Sequence, residues 1–304
     1  MEKSLRKRLL SQGADVFSIL TQNLSMITEQ FILYLIADYC NELQCIKKTK
    51  LNIRNEAIQS CCVFQNKLYL GPYPGYDFRY LVHLNLNTPE KVFGLADGSV
   101  RRVNHIVRNE SYTIICDGDE KCVHVRKNGQ ECINSIEGFL HPTHCYIYEG
   151  RLYVVDSLGT HSKVFVVDIE SSSILFSFGE TDTLEYQGIV VENDIIYLLS
   201  SYDHPKWDWC TVEHLHTFTL NGRITKTVKI SKHVSGPLES NDYNFHLFQN
   251  KLVIMPGGYN EVSFFGLNLE FLCSREIKPC IYKATSDNEF IHVMDDKNKL
   301  YTFY

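Results

Sequence analysis

The sequence lacks the short motifs that mark many enzyme families. Its 304 residues contain no P-loop, no dinucleotide-binding glycine fingerprint, no nucleophile elbow and no His-Glu-x-x-His zinc motif. Although there are 11 cysteines, no two have the Cys-x-x-Cys spacing of zinc and redox sites. We therefore expect a protein that binds no cofactor and is not an enzyme.

Long apolar runs and an excess of positive charge are also missing. The most apolar run, Phe31–Ala37, is too short to cross a bilayer and ends at Asp38, so we expect no membrane span. The basic start, Met1–Leu10, is followed by neither an apolar segment nor a cleavage site of the secretory type. The net charge of −6 gives no general attraction for nucleic acid.

Many of the cysteines fall inside predicted strands, as Cys116, Cys122 and Cys145 do. A thiol in such a position acts as a small apolar side chain. This usage predicts free cysteines and a reducing, cytoplasmic location, with disulfides as the alternative.

A repeat of about 40 residues runs through most of the chain. Each unit has a strand centred on an aromatic or β-branched residue, and the six centres are Tyr69, Tyr112, Tyr153, Tyr197, Val253 and Ile291. The residue three positions earlier is always of a type that tolerates positive φ: Asn66, Asn109, Gly150, Asp194, Asn250 and Asn288. The pattern predicts an all-β fold, a six-bladed β-propeller over residues 43–304, with four strands (A to D) in each blade.

The third unit, residues 139–179, has the most regular sequence. Its strands are predicted at Thr143–Tyr148, Arg151–Asp156, Lys163–Ile169 and Ile174–Phe178. The segments Phe139–Thr143, Arg151–Ser157, Lys163–Asp168 and Leu175–Gly179 together resemble an NHL repeat, whereas the other units keep only the strand and turn skeleton. The resemblance implies a propeller that recognises a protein or RNA. NHL propellers often follow ubiquitin-ligase modules, but this chain has no paired zinc-ligand spacings, so that activity is not implied.

The residues before the repeats have a different periodicity. An apolar stripe at spacings of three and four predicts a helical extension over residues 1–42: Phe17, Leu20, Leu24, Ile27, Phe31 and Tyr34. This helix either docks on the flank of the propeller or forms a coiled-coil dimer, so the chain is a monomer or a dimer. The following segment, Leu43–Leu51, is expected to supply strand D of the last blade by pairing with Lys299–Tyr304.

The candidate binding residues lie in connections that share one face of a propeller. We call this the loop face; it carries the B–C and D–A connections, and the opposite turn face carries the A–B and C–D turns. Aromatic and basic side chains in three B–C connections predict a docking surface for a protein partner: Tyr73, Tyr76, Phe78, Arg79, His204, Trp207, Trp209 and Tyr259. RNA is a second possible partner, through Arg101, Arg102 and Lys206 with the aromatic rings. The alternative is that these aromatic residues only cover blade edges.

A channel enzyme of the lyase or lactonase type is the alternative function. His105, His144 and His246 lie at alternate positions that point to the same face of strands of type A. They could therefore converge on a metal in the channel. The NHL-related peptidyl-amidoglycolate lyases use such a channel metal. We favour instead a packing face between blades. Lactonase propellers hold calcium with inner-strand acids, which are nearly absent here.

The remaining acidic and histidine clusters are expected to be solvated. The acids lie in the connections of the second and sixth units: Asp117, Asp119, Glu120, Asp295 and Asp296. His214 and His216, beside Glu213, share one face of an outer strand.

Overall fold

Twenty-four strands in six four-stranded antiparallel sheets make up the part of the chain that the computed structural model describes. That part comprises residues 45–51, 58–72, 80–86, 92–96, 100–128, 133–159, 161–203, 210–234, 243–278, 280–287, 289–297 and 299–304. No helix occurs within these ranges, and therefore none that could span a membrane. The predicted helical extension over residues 1–42 lies outside them.

Five of the sheets consist of four consecutive strands, and we number these blades 1 to 5. Blade 1 contains β2 (Ile58–Phe64), β3 (Lys67–Pro72), β4 (Tyr80–Asn85) and β5 (Val92–Ala96). Blade 2 contains β6 (Val103–Arg108), β7 (Tyr112–Asp117), β8 (Cys122–Lys127) and β9 (Ile133–Ile136). Blade 3 contains β10 (Pro142–Tyr148), β11 (Arg151–Leu158), β12 (His161–Asp168) and β13 (Ser173–Thr181). Blade 4 contains β14 (Glu185–Glu192), β15 (Ile195–Asp203), β16 (Cys210–Thr219) and β17 (Ile224–Lys229). Blade 5 contains β18 (Tyr243–Phe248), β19 (Lys251–Pro256), β20 (Glu261–Gly266) and β21 (Phe271–Glu276).

The sixth sheet, which we call the closing sheet, joins the two ends of the described chain. Its strands are β22 (Lys283–Ser286), β23 (Ile291–Met294), β24 (Lys299–Phe303) and, outermost, β1 (Cys45–Lys50). β1 runs antiparallel to β24, with Cys45 opposite Phe303 and Lys50 opposite Lys299. The predicted pairing of Leu43–Leu51 with the last strand is therefore confirmed. It covers the edge of β24, which would otherwise expose unpaired backbone groups.

The first strands of the six sheets form a closed ring. β2 contacts β6, and contacts continue through β10, β14, β18 and β22 back to β2. Apolar clusters fill all six interfaces between neighbouring sheets. The cluster at the seam contains Leu51, just after β1, beside Leu68 of blade 1 and Leu300 of the closing sheet. Burial of these faces between sheets is the main stabilising contribution, and the expected all-β propeller class is confirmed.

The A–B turns follow the predicted turn chemistry with one exception. Four blades have two-residue turns that end in a residue with positive φ: Asn66, Gly150, Asp194 and Asn250. The prediction is wrong for Asn109, because blade 2 has a three-residue connection there. The Asn109 side-chain oxygen accepts the main-chain N–H groups of Ser111 and Tyr112 at 2.9 and 2.7 Å, which is the other way asparagine stabilises turns. Asn288 lies outside the described residues.

Candidate functional site: the central channel

The ring of inner strands surrounds a channel that contains two cavities. The loop-face cavity, about 280 Å³, is lined by the first residues of the inner strands, by Leu158 at the end of β11 and by Gly159 in the B–C connection that follows it. The turn-face cavity, about 230 Å³, is lined by the ends of the inner strands, including Arg108 and Asp287. Five residues line both cavities and so mark the waist of the channel: Cys61, His105, His144, Phe245 and His246.

The three histidines that the sequence singled out all lie at this waist. The rings of His105 and His144 have centroids 5.0 Å apart. The three residues line the channel and also contact neighbouring sheets, so the expected packing face between blades borders the channel.

The waist histidines are held by the main chain of neighbouring sheets. The Cys145 N–H donates to Nδ1 of His105 at 3.3 Å, which places the proton of a neutral His105 on Nε2. Nε2 of His246 donates to the Ala284 carbonyl at 3.0 Å. These bonds fix two imidazole rings across two interfaces between sheets.

Burial lowers the pKa of two of the waist histidines. Burial, helped by the nearby His144, His246 and Lys283, lowers the pKa of His105 well below its ordinary value. Burial also lowers the pKa of His246 to about 4, against the effect of its bond to Ala284. Neutral imidazoles are metal ligands, but within the described ranges no three His, Cys, Asp or Glu side chains are grouped closely enough to hold an ion. The neighbouring Cys61 has its pKa raised by burial to about 12, despite the opposing charge of Lys283, so it is no thiolate nucleophile.

The loop-face cavity is polar at its mouth. Arg102, Asn104, His141, Glu185 and Lys283 line it. Asn104 bridges blades 2 and 3 by donating to the Pro142 carbonyl at 2.9 Å. Sequence reasoning missed Arg102 and Lys283 as channel residues. No sequence signal placed Lys283 in the channel, because a cation in a strand is ordinarily exposed.

Most of the predicted docking residues lie outside the described ranges. Tyr73, Tyr76, Phe78 and Arg79 fall between β3 and β4, whereas His204, Trp207 and Trp209 fall between β15 and β16. Tyr259 is described, in the B–C turn of blade 5. It is half-buried against the apolar cluster between blades 4 and 5, and its carbonyl accepts the Ile281 N–H at 2.6 Å.

Two acids that were expected to be solvated are buried. Asp117 accepts the main-chain N–H groups of Arg101 and Arg102 at 2.6 and 3.2 Å, and thereby joins strand B of blade 2 to the connection that leads into β6. Asp295 accepts the Lys299 N–H at 2.8 Å and the Tyr301 hydroxyl at 3.1 Å. The expectation is wrong for both, because the cluster of backbone donors at these bends needs an acceptor. Asp119, Glu120 and Asp296 are exposed, as expected.

His216 is also buried, although a solvated position was expected. Its Nε2 lies 2.8 Å from the Ser200 hydroxyl, and its Nδ1 lies 3.0 Å from the Thr227 hydroxyl. Blade 2 has the same arrangement, with His124 between Asp117 and Ser135. This Asp–His–Ser order resembles a catalytic triad. However, hydrogen bonds to Asp117 and Cys122 overcome the effect of burial and raise the pKa of His124 to about 9. A histidine that is protonated at neutral pH cannot act as the base.

Comparisons with known proteins show the fold alone. No protein-family model and no curated protein matches the chain. Among solved structures, it is similar to virginiamycin B lyase from Staphylococcus aureus, with TM-score 0.56 and 10% identity over 86% of this chain and 99% of that one. It is also similar to a chain of the nidogen/laminin complex, with TM-score 0.59 and 10% identity over 77% of this chain and 86% of that one.

Proposed function

We propose that this protein is a non-catalytic interaction scaffold that binds a protein partner on its loop face. In this proposal the closing sheet serves as a sixth blade, and the NHL resemblance of blade 3 extends to the mode of recognition. The observation that carries the proposal is the loop-face cavity, which is lined by polar residues. The predicted aromatic residues belong to B–C connections, and the order of the strands assigns these connections to the same face. A rigid ring of sheets with a polar depression surrounded by variable connections is a common form of binding surface.

The state of the described channel residues supports binding over catalysis. A general acid or base works best with a pKa near the working pH. Burial lowers the pKa of both His105 and His246 far from neutrality, and Cys61 stays protonated. A protein partner is favoured over RNA because the chain carries a net charge of −6 and because Arg101, an exposed loop-face arginine, lies 2.5 Å from Glu120.

The test replaces Tyr73, Tyr76, Trp207 and Trp209 with alanine in one variant of the full chain. Affinity for a partner captured by the wild type should fall by at least about thirtyfold, because buried aromatic anchors each contribute about 2 kcal/mol or more. The matched control is Phe271→Ala, since Phe271 is an exposed aromatic residue at the turn-face end of β21. This control should bind normally.

Unchanged capture by the quadruple variant, with an unchanged melting temperature, would contradict the proposal. Loss of capture after ribonuclease treatment would identify RNA as the ligand instead. One equivalent of bound zinc that disappears on mutating His105, His144 or His246 would favour the channel enzyme of the lyase or lactonase type.

A further inference from the structure

The loop-face cavity has a charge balance opposite to that of the whole protein. The chain carries a net charge of −6. In contrast, the cavity lining contains the two cations Arg102 and Lys283 and a single carboxylate, Glu185, among its described residues. The lining therefore favours a negatively charged occupant.

Lys283 supplies one of these charges from a buried position. It is the first residue of the inner strand β22, and only 6% of its surface is exposed. It lines the loop-face cavity together with His105 and Cys61, which belong to two other inner strands. Charge–charge interactions are stronger at such a position than at the protein surface, because little water screens them.

Arg102 supplies the second cation, and one of its donors has no acceptor among the described residues. Its main-chain N–H is bound by Asp117 at 3.2 Å, and its Nη1 lies 3.7 Å from Asp119. Its Nε is buried and has no hydrogen-bond acceptor within the described ranges. A buried donor without an acceptor is unfavourable, and an acceptor in the adjoining cavity would satisfy it.

His105 adds a neutral donor to the same space. Because its Nδ1 accepts the Cys145 N–H, its proton lies on Nε2. The cavity lining thus combines an ammonium, a guanidinium and an imidazole N–H from three side chains on β6, β22 and the connection before β6. Carboxylate and phosphate oxygens are the acceptors that such donors bind most strongly.

We propose that the loop-face cavity binds an anionic group, a carboxylate or a phosphate, which enters from the loop face. The volume of about 280 Å³ is at the lower end of ligand pockets, so it fits a small anion or one acidic side chain. The site does not require the loop-face partner, since a free anion can occupy it. Glu185 opposes the anion and limits the affinity.

The experiment titrates the full chain with two probes at low ionic strength and neutral pH. One probe is inorganic phosphate, and the other is a short blocked peptide with a single glutamate. Saturable binding of either probe, measured by calorimetry, is expected. Lys283→Met should weaken it by at least about tenfold, and Arg102→Gln should weaken it too, because each variant removes one donor from a buried charge pair. Glu185→Gln should tighten binding.

Lys232→Met is the matched control, because Lys232 is exposed in the connection after β17. It should leave the affinity unchanged. Binding of phosphate alone would indicate a free anion as the ligand, and binding of the peptide alone would indicate an acidic side chain of a partner. Binding of neither probe by the wild type would overturn the proposal. Equal affinity in wild type, Lys283→Met and Arg102→Gln, all with unchanged melting temperatures, would overturn it as well.

Discussion

Blades 2 and 4 hold a histidine at the same place in the sheet but give it opposite charge states. His124 lies opposite Ser135, and His216 lies opposite Thr227, each on strand C facing strand D. Each histidine also reaches a polar side chain on strand B, nearer the loop face: Asp117 in blade 2 and Ser200 in blade 4.

The chemistry of that strand B residue decides whether the histidine is charged. Burial lowers the pKa of both histidines. In blade 2 the hydrogen bonds to Asp117 and Cys122 overcome it, and the pKa rises to about 9. In blade 4 the nearby His214 lowers the pKa further, to about 4. The same arrangement of hydrogen bonds therefore holds either a charged or a neutral histidine, depending on whether the strand B side chain is an anion.

The largest expected effect follows from removing that anion. Asp117→Ala should lower the free energy of unfolding by about 3–5 kcal/mol, because it leaves a buried imidazolium and several main-chain N–H groups without their acceptor. Urea unfolding at neutral pH measures the loss. The control is the exposed neighbour Asp119→Ala, which should change stability by less than about 1 kcal/mol. Similar losses for the two variants would show that Asp117 is no structural anchor.

A second expected effect is that the two blades respond to pH in opposite directions. His124 has a folded pKa of about 9, above its ordinary 6.5, so its stabilisation is complete below pH 6.5 and disappears as the pH rises through 9. His216 has a folded pKa of about 4, so its stabilisation is present above pH 6.5 and disappears as the pH falls through 4.

The opposite pH responses are tested by measuring the free energy of unfolding across this pH range for the wild type, His124→Asn and His216→Asn. The difference between wild type and His124→Asn should shrink by on the order of 2 kcal/mol on the alkaline side. The difference between wild type and His216→Asn should shrink on the acid side. Two parallel profiles would contradict the assigned charge states.

Exchanging the strand B residues should exchange the titration behaviour. Asp117→Ser is expected to lower the pKa of His124, and Ser200→Asp is expected to raise that of His216, because a carboxylate stabilises the imidazolium and a hydroxyl does not. Histidine ring signals in NMR spectra report each pKa directly. If the values stay where they are in the wild type, burial and not the hydrogen-bond partner sets them.

The smallest expected effect concerns the outer strand. Ser135→Ala and Thr227→Val remove the hydroxyl next to Nδ1 in each blade, at a position where both residues are exposed. Water can replace the hydroxyl, so each loss should be below about 1 kcal/mol in urea unfolding. A larger loss in blade 2 alone would mean that the imidazolium depends on Ser135 as well as on Asp117.

Much of the scaffold was predictable from local patterns. The strands of blade 3 and the two-residue turns follow from alternation and turn chemistry. The pairing of Leu43–Leu51 with the last strand follows from the strand edge that would otherwise stay open. The site was only partly predictable. The parity of His105, His144 and His246 indicated a shared face, but not that the face borders the channel. Lys283 and Arg102 gave no comparable signal, since a cation in a strand is ordinarily exposed.

The sequence by itself determined the repeat and the turns, because each depends on residues close together in the chain or on the periodicity of a single strand. The closing strand was predictable because the last unit lacks a strand D. Tertiary structure alone decided that Lys283 and His105, far apart in sequence, border one cavity. It also decided that Asp117 is buried beside His124 whereas His216 faces a hydroxyl. Burial and charge–charge distances are set by how neighbouring strands and sheets pack, and these quantities determine the charge state of a histidine and the ligand that a cavity accepts.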